Sequence, residues 1–486
     1  MAFEKRSCTR VQPVRRRGAS QDASATRSRF STYPFTGIRI LKQTTSHDWI
    51  ARSLRSVWHP CTQMQHHEEV PLIAVSHAKG PWLYDHEGRR YLDGISSWWV
   101  NLFGHANPRI NAALKDQLDK LEHAMLAGFT HEPVIELSEQ LAALTGHALG
   151  HAFYASDGAS AVEIALKMSF HYWRNAGYAD KQEFVCLQGS YHGETVGALG
   201  VTDVALFKDA YGPLLRAART VTSPDARNAV DGESAQDVAL RAAQDVETLF
   251  AERGDRIAAI IVEPLVQCAT GMAMHDPLYL QRLRELCDKY HVHLIADEIA
   301  VGCGRTGTFF ACEQAAIWPD FMCLSKGISG GYLPLSLVLT TDNVYEAFYS
   351  EDITRGFLHS HSYTGNALAC RAALATLQIF RDDDVLNRNR ETATRLMLEL
   401  APLLDNKRVT HFRQRGMILA FDALEPDAKR ASTFARRFFT SAVDNELLLR
   451  PIGRTVYLMP PYVLDEEEIV GLAARTRKVF EKVIAE

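Results

Sequence analysis

The sequence predicts an open α/β fold, with a mostly parallel central sheet covered by helices and a smaller α+β domain built from both chain ends. Three observations predict it. Between about Asn107 and residue 371, short apolar strands alternate with segments of helical period; the stretch before it reads as a hairpin; and after about Ala372 the pattern shifts to long amphipathic helices with a few strands. The expected divisions are a leader over 1–50, an N-terminal part of the small domain over 51–106, a large domain over 107–371 and a C-terminal small-domain segment over 372–486.

Taken in order, the leader carries Arg6, Arg10, Arg15, Arg16, Arg17, Arg27 and Arg29 among Ser and Ala, with only Glu4 and Asp22 as acids. Such a composition cannot bury a core. It reads as a disordered extension or an upstream start, the alternative being an organellar transit peptide, and it has no apolar stretch of the kind that directs secretion. Folded sequence is expected to begin near Trp58. The run PWLYDHEGRRYLD, from Pro81 to Asp93, alternates as two strands around Glu87 and Gly88. Strands then follow at HAFYAS, EFVCLQ, IAAIIVEP, VHLIADEI and FMCLSK, separated by helices such as LYLQRLRELCDKY. That order implies parallel pairing through right-handed crossovers. MILAFDAL and RTVYLMPP supply strands to the last domain.

The bulk chemistry narrows the function. The chain has 486 residues, enough for a large enzyme subunit, and a formal net charge of -5, which gives no reason to expect a nucleic-acid partner. No apolar run is long enough to cross a bilayer. Nine cysteines occur without a C-x-x-C pair, a usage that suits a reducing compartment, so the cytoplasm is expected, or the mitochondrion if the leader is a transit peptide. His359 and His361, like the adjacent His66 and His67, have no Cys or acid at ligand spacing, and no metal is expected.

The residues that carry chemistry cluster at strand ends. LIADEI closes on Asp297 and Glu298, and ligands of open α/β sheets sit at the carboxyl ends of strands. An apolar strand ending in Asp-Glu also resembles the metal-and-water element of a nucleotide hydrolase, but that reading needs a phosphate loop, and the chain has no Gly-Lys dipeptide. Lys326 closes the next strand, 29 residues on, before Gly327, Gly330 and Gly331. An amine and a carboxylate over one crevice are what pyridoxal phosphate requires, the amine to attach it and the acid to keep its ring nitrogen protonated. By position alone Lys326 could equally be a surface lysine.

In HAFYASDGASAVEIALKM a strand passes through Gly158 and Ala159 into a helix with Val162, Leu166, Phe170 and Trp173 on one face; its free N-terminal amides suit a phosphate, although an ordinary helix cap looks similar. In GSYHGET, Tyr191 could stack on a heteroaromatic ring or belong to the core, and His192 beside it reads as support for the pocket.

The ordered set SDGASAVE, SYHGET, IADEI-x-x-G-x-G-R-T-G, LSKGISGG and SYTGN resembles the class III aminotransferases of PLP fold type I, from about Trp58 to the C-terminus. The resemblance implies that Lys326 holds pyridoxal 5'-phosphate, Asp297 contacts its ring nitrogen, Tyr191 packs on the ring, and Gly158 and Ala159 offer amides to its phosphate. It also implies a symmetric homodimer with shared active sites, Ser362 reaching the partner's phosphate and Ser360 the substrate side.

Within the family, WHPCTQM, DGISSWWVNLFGH, MLAGFTHEP and RPIGRTVYLMPPY are similar to members of biotin synthesis that convert 8-amino-7-oxononanoate to 7,8-diaminononanoate by a ping-pong mechanism with S-adenosyl-L-methionine as donor. On that likeness Trp98 and Trp99 line a slot for the chain, Arg450 pairs with its carboxylate, and Arg305 is either a second polar anchor or part of a structural ion pair. The alternative within the class is a broad ω-amine:pyruvate aminotransferase, which shares the cofactor motifs but not the WHP-x-T, SSWW and RPIG set. One position departs from the pattern. Cys61 stands where a tyrosine helps form the donor site, which leaves lysine or another amine open beside adenosylmethionine.

Overall fold

A computed structural model describes residues 45–70 and 72–486, so the Arg-rich stretch of the leader lies outside the described residues. The leader's last residues are ordered, contrary to a start near Trp58: Ser46–Ser56 is a helix. Its N-cap is a capping box in which Thr45 Oγ1 accepts from the Asp48 N–H at 3.3 Å and Asp48 accepts from the Thr45 N–H at 3.3 Å. The Ser46 N–H donates to Glu87 at 2.7 Å, which ties the helix to the hairpin.

The central sheet has seven strands in the spatial order His151–Ala155, Ser336–Thr340, Phe321–Leu324, His293–Asp297, Ile257–Val262, Glu183–Leu187 and Arg219–Val221. All run the same way except Ser336–Thr340, which is antiparallel to both neighbours and was not expected from the sequence. The strands expected from apolar runs are all present. Ile257–Val262 is buried at every position, as a central strand covered on both faces must be, and each of its larger side chains stabilises the fold by about 1.5–3 kcal/mol. The Gly158–Asn175 helix buries Val162, Leu166 and Trp173 and half-buries Phe170; the Trp173 indole N–H donates to the Ala258 carbonyl at 2.8 Å.

The small domain joins the two chain ends. The hairpin strands Trp82–Asp85 and Arg90–Asp93 pair antiparallel, and Arg90–Asp93 pairs parallel with Leu447–Leu448. A second sheet of Val409–Arg415, Ile418–Ala423 and Thr455–Leu458 completes it. The expected seam after residue 371 falls inside the Ala367–Asp382 helix, because no Gly or Pro interrupts its apolar period there. That helix packs on the Pro108–Leu118 and Glu132–Leu144 helices. Among the described residues no helix is long and apolar enough to cross a membrane.

Glu298, next to Asp297, is turned into the core, where it accepts the Ala311 and Cys312 N–H groups at 2.8 Å each. Burial pushes its carboxyl up to about 7 from 4.5 against those two bonds. A raised acid favours the fold fully below its unfolded value and loses that contribution as pH rises through about 7. Glu298→Gln keeps an acceptor for only one of those two N–H groups, a cost independent of pH, but it removes the titration, so relative to wild type the variant should gain up to about 3 kcal/mol as pH rises through about 7. Melting curves from pH 5 to 8 check this: the difference between variant and wild type should move in the variant's favour with pH, and a constant difference contradicts it.

Candidate active site

The chemistry-bearing residues converge because parallel strands end together. Asp297 is the last residue of its strand, Glu263 follows Ile257–Val262 by one position, Asp157 and Lys326 follow theirs by two, and Tyr191 follows Glu183–Leu187 by four. All five line one cavity of about 370 Å³, with Gly158, Ala159, His192, Trp98 and Trp99. A wider groove of about 620 Å³ lies along the edge strand, but its Glu183 and Arg219 pair with each other at the amino ends of their strands.

The Lys326 side chain reaches the cavity with its Nζ 5.3 Å from the Trp99 ring centroid. Burial lowers the pKa of its ammonium, against the pull of Asp297, Cys268 and Glu263, so the neutral amine is favoured more than in water. Asp297 is buried and Oδ2 accepts from His192 Nδ1 at 2.7 Å, while Oδ1 accepts from the Ile299 N–H at 3.1 Å. With Nδ1 donating, His192 turns an unpaired Nε2 into its buried surroundings.

Glu263 is a site residue that the sequence reading missed, although IAAIIVEP carried the same sign as IADEI, an acid at the end of an apolar strand. It accepts the Tyr191 N–H at 3.2 Å and the Cys268 N–H at 2.9 Å, and burial pushes its carboxyl up to about 7. The bond fixes the backbone of Tyr191, whose hydroxyl donates to Glu194 at 3.0 Å. Glu194, Pro60 and Ala300 also line the cavity and were not singled out.

At the Gly158 helix, the Asp157 side chain accepts the Ser160 N–H at 3.0 Å, which leaves the Gly158 and Ala159 amides for an anion. A side chain at Gly158 would meet the Ile299 side chain at 3.1 Å, a tight contact that glycine avoids.

Trp98 and Trp99 form one wall in an unusual backbone. Ser96, Ser97, Trp98 and Trp99 have φ of 52°, 47°, 71° and 73°, a left-handed turn that disfavours each non-glycine residue by roughly 1–2 kcal/mol. Trp98 is half-exposed and Trp99 buried. Arg450 is exposed and does not itself line the cavity; its guanidinium lies 5.1 Å from the Trp98 ring centroid, donates to the Cys61 carbonyl at 3.2 Å, and pairs with no carboxylate among the described residues.

Arg305 is a correction. It neither lines the cavity nor forms an ion pair: it is buried, with Nη1 donating to the Pro460 carbonyl at 2.7 Å and Nη2 to that of Asn101 at 3.0 Å, its plane over Tyr462. The loop after the Asp297 strand turns it inward, where carbonyls take its two terminal nitrogens and Nε is left without a partner among the described residues. Ser360 and Ser362 are exposed and lie outside this chain's own cavity.

The family profile described as aminotransferase class-III matches residues 63–480. The chain is 44% identical over 439 residues to the adenosylmethionine-8-amino-7-oxononanoate aminotransferase of Helicobacter pylori, covering 89% of this chain and 98% of that protein.

The chain belongs to the class-III aminotransferases.

The fold agrees with solved members. The crystal structure of adenosylmethionine-8-amino-7-oxononanoate aminotransferase from Methanocaldococcus jannaschii superposes with a TM-score of 0.83 at 32% identity, covering 89% of this chain and 98% of that one. An amine transaminase from an uncultivated Pseudomonas species, solved in its PLP-bound form, superposes with a TM-score of 0.83 at 29% identity, covering 88% and 99%. This aminotransferase is pyridoxal-phosphate dependent, as its family is. The residues present fit that group: a lysine of lowered pKa, a buried carboxylate at the neighbouring strand end and free helix amides beside an unobstructed glycine face one cavity.

Proposed function

We propose that the chain transfers an amino group to 8-amino-7-oxononanoate, giving 7,8-diaminononanoate for biotin synthesis, with S-adenosyl-L-methionine as the donor. The observation that carries the substrate is the order of groups along the tryptophan wall. Lys326 Nζ stands 5.3 Å from the Trp99 ring and the Arg450 guanidinium 5.1 Å from the Trp98 ring, so an apolar surface separates an amine from a cation. A molecule with a ketone near one end, an aliphatic chain and a terminal carboxylate matches that order, the chain on the rings and the carboxylate on the planar fork of Arg450. Relatives such as the Helicobacter pylori protein carry the same activity in their names.

In this reading Lys326 attaches the cofactor, Asp297 holds a proton at its ring nitrogen, Tyr191 covers the ring, and the Gly158 and Ala159 amides take the phosphate. Bound there, pyridoxal phosphate supplies an electron sink for the carbon that loses a proton and stores the amino group between half-reactions. Lys326 Nζ would take a proton from the substrate carbon and return it, a task for which its lowered pKa suits it. His192 donates Nδ1–H to Asp297 and so keeps that carboxylate oriented. Both half-reactions use one cavity, hence ping-pong kinetics.

The exposed Ser360 and Ser362 lie beside Leu358 and Tyr363, which are 77% and 64% exposed, and this surface supports a symmetric homodimer in which the segment crosses to the partner's site. Purified enzyme offered 8-amino-7-oxononanoate with adenosylmethionine, with lysine, or with other amines tests the proposal. The diamine should form fastest with adenosylmethionine. Lysine as the better donor would assign that role to the site opened by Cys61, and amination of pyruvate without diamine from any donor would contradict the acceptor.

A further inference from the structure

The left-handed turn of Ser96, Ser97, Trp98 and Trp99 contains no glycine, and such a turn persists only where its surroundings over-determine it. Asp93 supplies the hold on its first half. The side chain is fully buried at the end of the Arg90–Asp93 strand; Oδ2 accepts from Ser97 Oγ at 2.7 Å and from His105 Nε2 at 3.2 Å, while Oδ1 lies 3.4 Å from the Ile95 N–H. Ser96 Oγ donates to the Met459 carbonyl at 2.7 Å.

The second half is held from the catalytic strands. Arg305, eight residues after Asp297, donates to the Asn101 carbonyl at 3.0 Å and approaches that of Trp99 at 3.4 Å. Gly331, five residues after Lys326, packs so closely that a side chain there would come within 2.8 Å of the Val100 carbonyl.

We propose that Asp93 is a positioning residue for the acceptor: through Ser97 it holds the left-handed turn that sets Trp98 and Trp99 against Lys326. Asp93 does not line the cavity, so it acts only through the wall. In an extended chain, side chains of successive residues point to opposite sides; the turn brings both indoles to one cavity. The hold needs an acceptor at Oδ2, because two donors converge there. An asparagine has one acceptor oxygen, so in either amide orientation its NH2 would face an N–H donor, that of His105 Nε2 or that of Ile95.

The inference rests on the proposed acceptor, and kinetics with 8-amino-7-oxononanoate test it. In Asp93→Asn, KM for the acceptor is expected to rise between about tenfold and a hundredfold, with kcat within about threefold and the visible absorbance of the bound cofactor unchanged. Ser97→Ala, which loses the bond but keeps the strain, should raise KM in the same way; Ser97→Gly, which loses the bond but adopts positive φ freely, should raise it less. An unchanged KM in the first two variants, or a fall in kcat at constant KM, overturns the assignment. Should Asp93→Asn fail to fold, equal KM values in Ser97→Ala and Ser97→Gly overturn it. A wild-type enzyme that makes no diamine contradicts the substrate instead, and the three variants are then compared on the acceptor that the donor and acceptor screen identifies.

Discussion

Lys326→Ala is expected to lose turnover by at least about 10⁴-fold together with the visible absorbance of the covalently held cofactor. The size follows from two roles on one nitrogen. The amine attaches the cofactor at the end of the Phe321–Leu324 strand, and the same Nζ moves the proton at the substrate carbon. Among the described residues no second amine stands in the cavity to replace it, since those lining it include no other lysine. Retained absorbance and turnover, measured side by side on the purified variant, would contradict both roles.

Asp297→Asn should retain cofactor but slow transamination by about 10²–10³-fold. The phosphate amides and Lys326 are untouched, so binding survives. What is lost is the charge. Oδ2 accepts from His192 and Oδ1 from the Ile299 N–H, which fixes the carboxylate at the strand end, and a neutral amide cannot hold a proton on the cofactor ring by attraction. Single-turnover rates with the donor alone check this. A rate equal to wild type would show that the ring nitrogen needs no charged partner.

Much of this site was legible because the fold writes it into short apolar runs. HAFYAS, EFVCLQ, IADEI and LSK each end in the residue or turn that reaches the cavity, so Gly158, Tyr191, Asp297 and Lys326 could be placed before any contact was known. Glu263 was equally readable from IAAIIVEP. Other features left no local sign. Nothing within SSWW itself marks a left-handed turn, since its hold comes from Asp93, three residues before it, and from the distant Arg305 and Gly331. Arg305 has the composition of a substrate anchor; only the path of its loop shows that backbone carbonyls take its two terminal nitrogens. The Ser46–Ser56 helix was hidden by the Arg-rich stretch before it, although its Thr45 and Asp48 are a readable capping box.

The central claim concerns one nitrogen. Borohydride reduction of the holoenzyme, which makes the lysine–cofactor bond permanent, followed by mass mapping of its peptides, tests it most directly. The rival by burial is Lys181, lowered to about 8 by its surroundings, but its Nζ donates to the Ile257 carbonyl at 3.1 Å and lies outside the cavity. The cofactor mass is expected on the peptide containing Lys326 and nowhere else; its recovery on Lys181 or any other lysine would contradict the account.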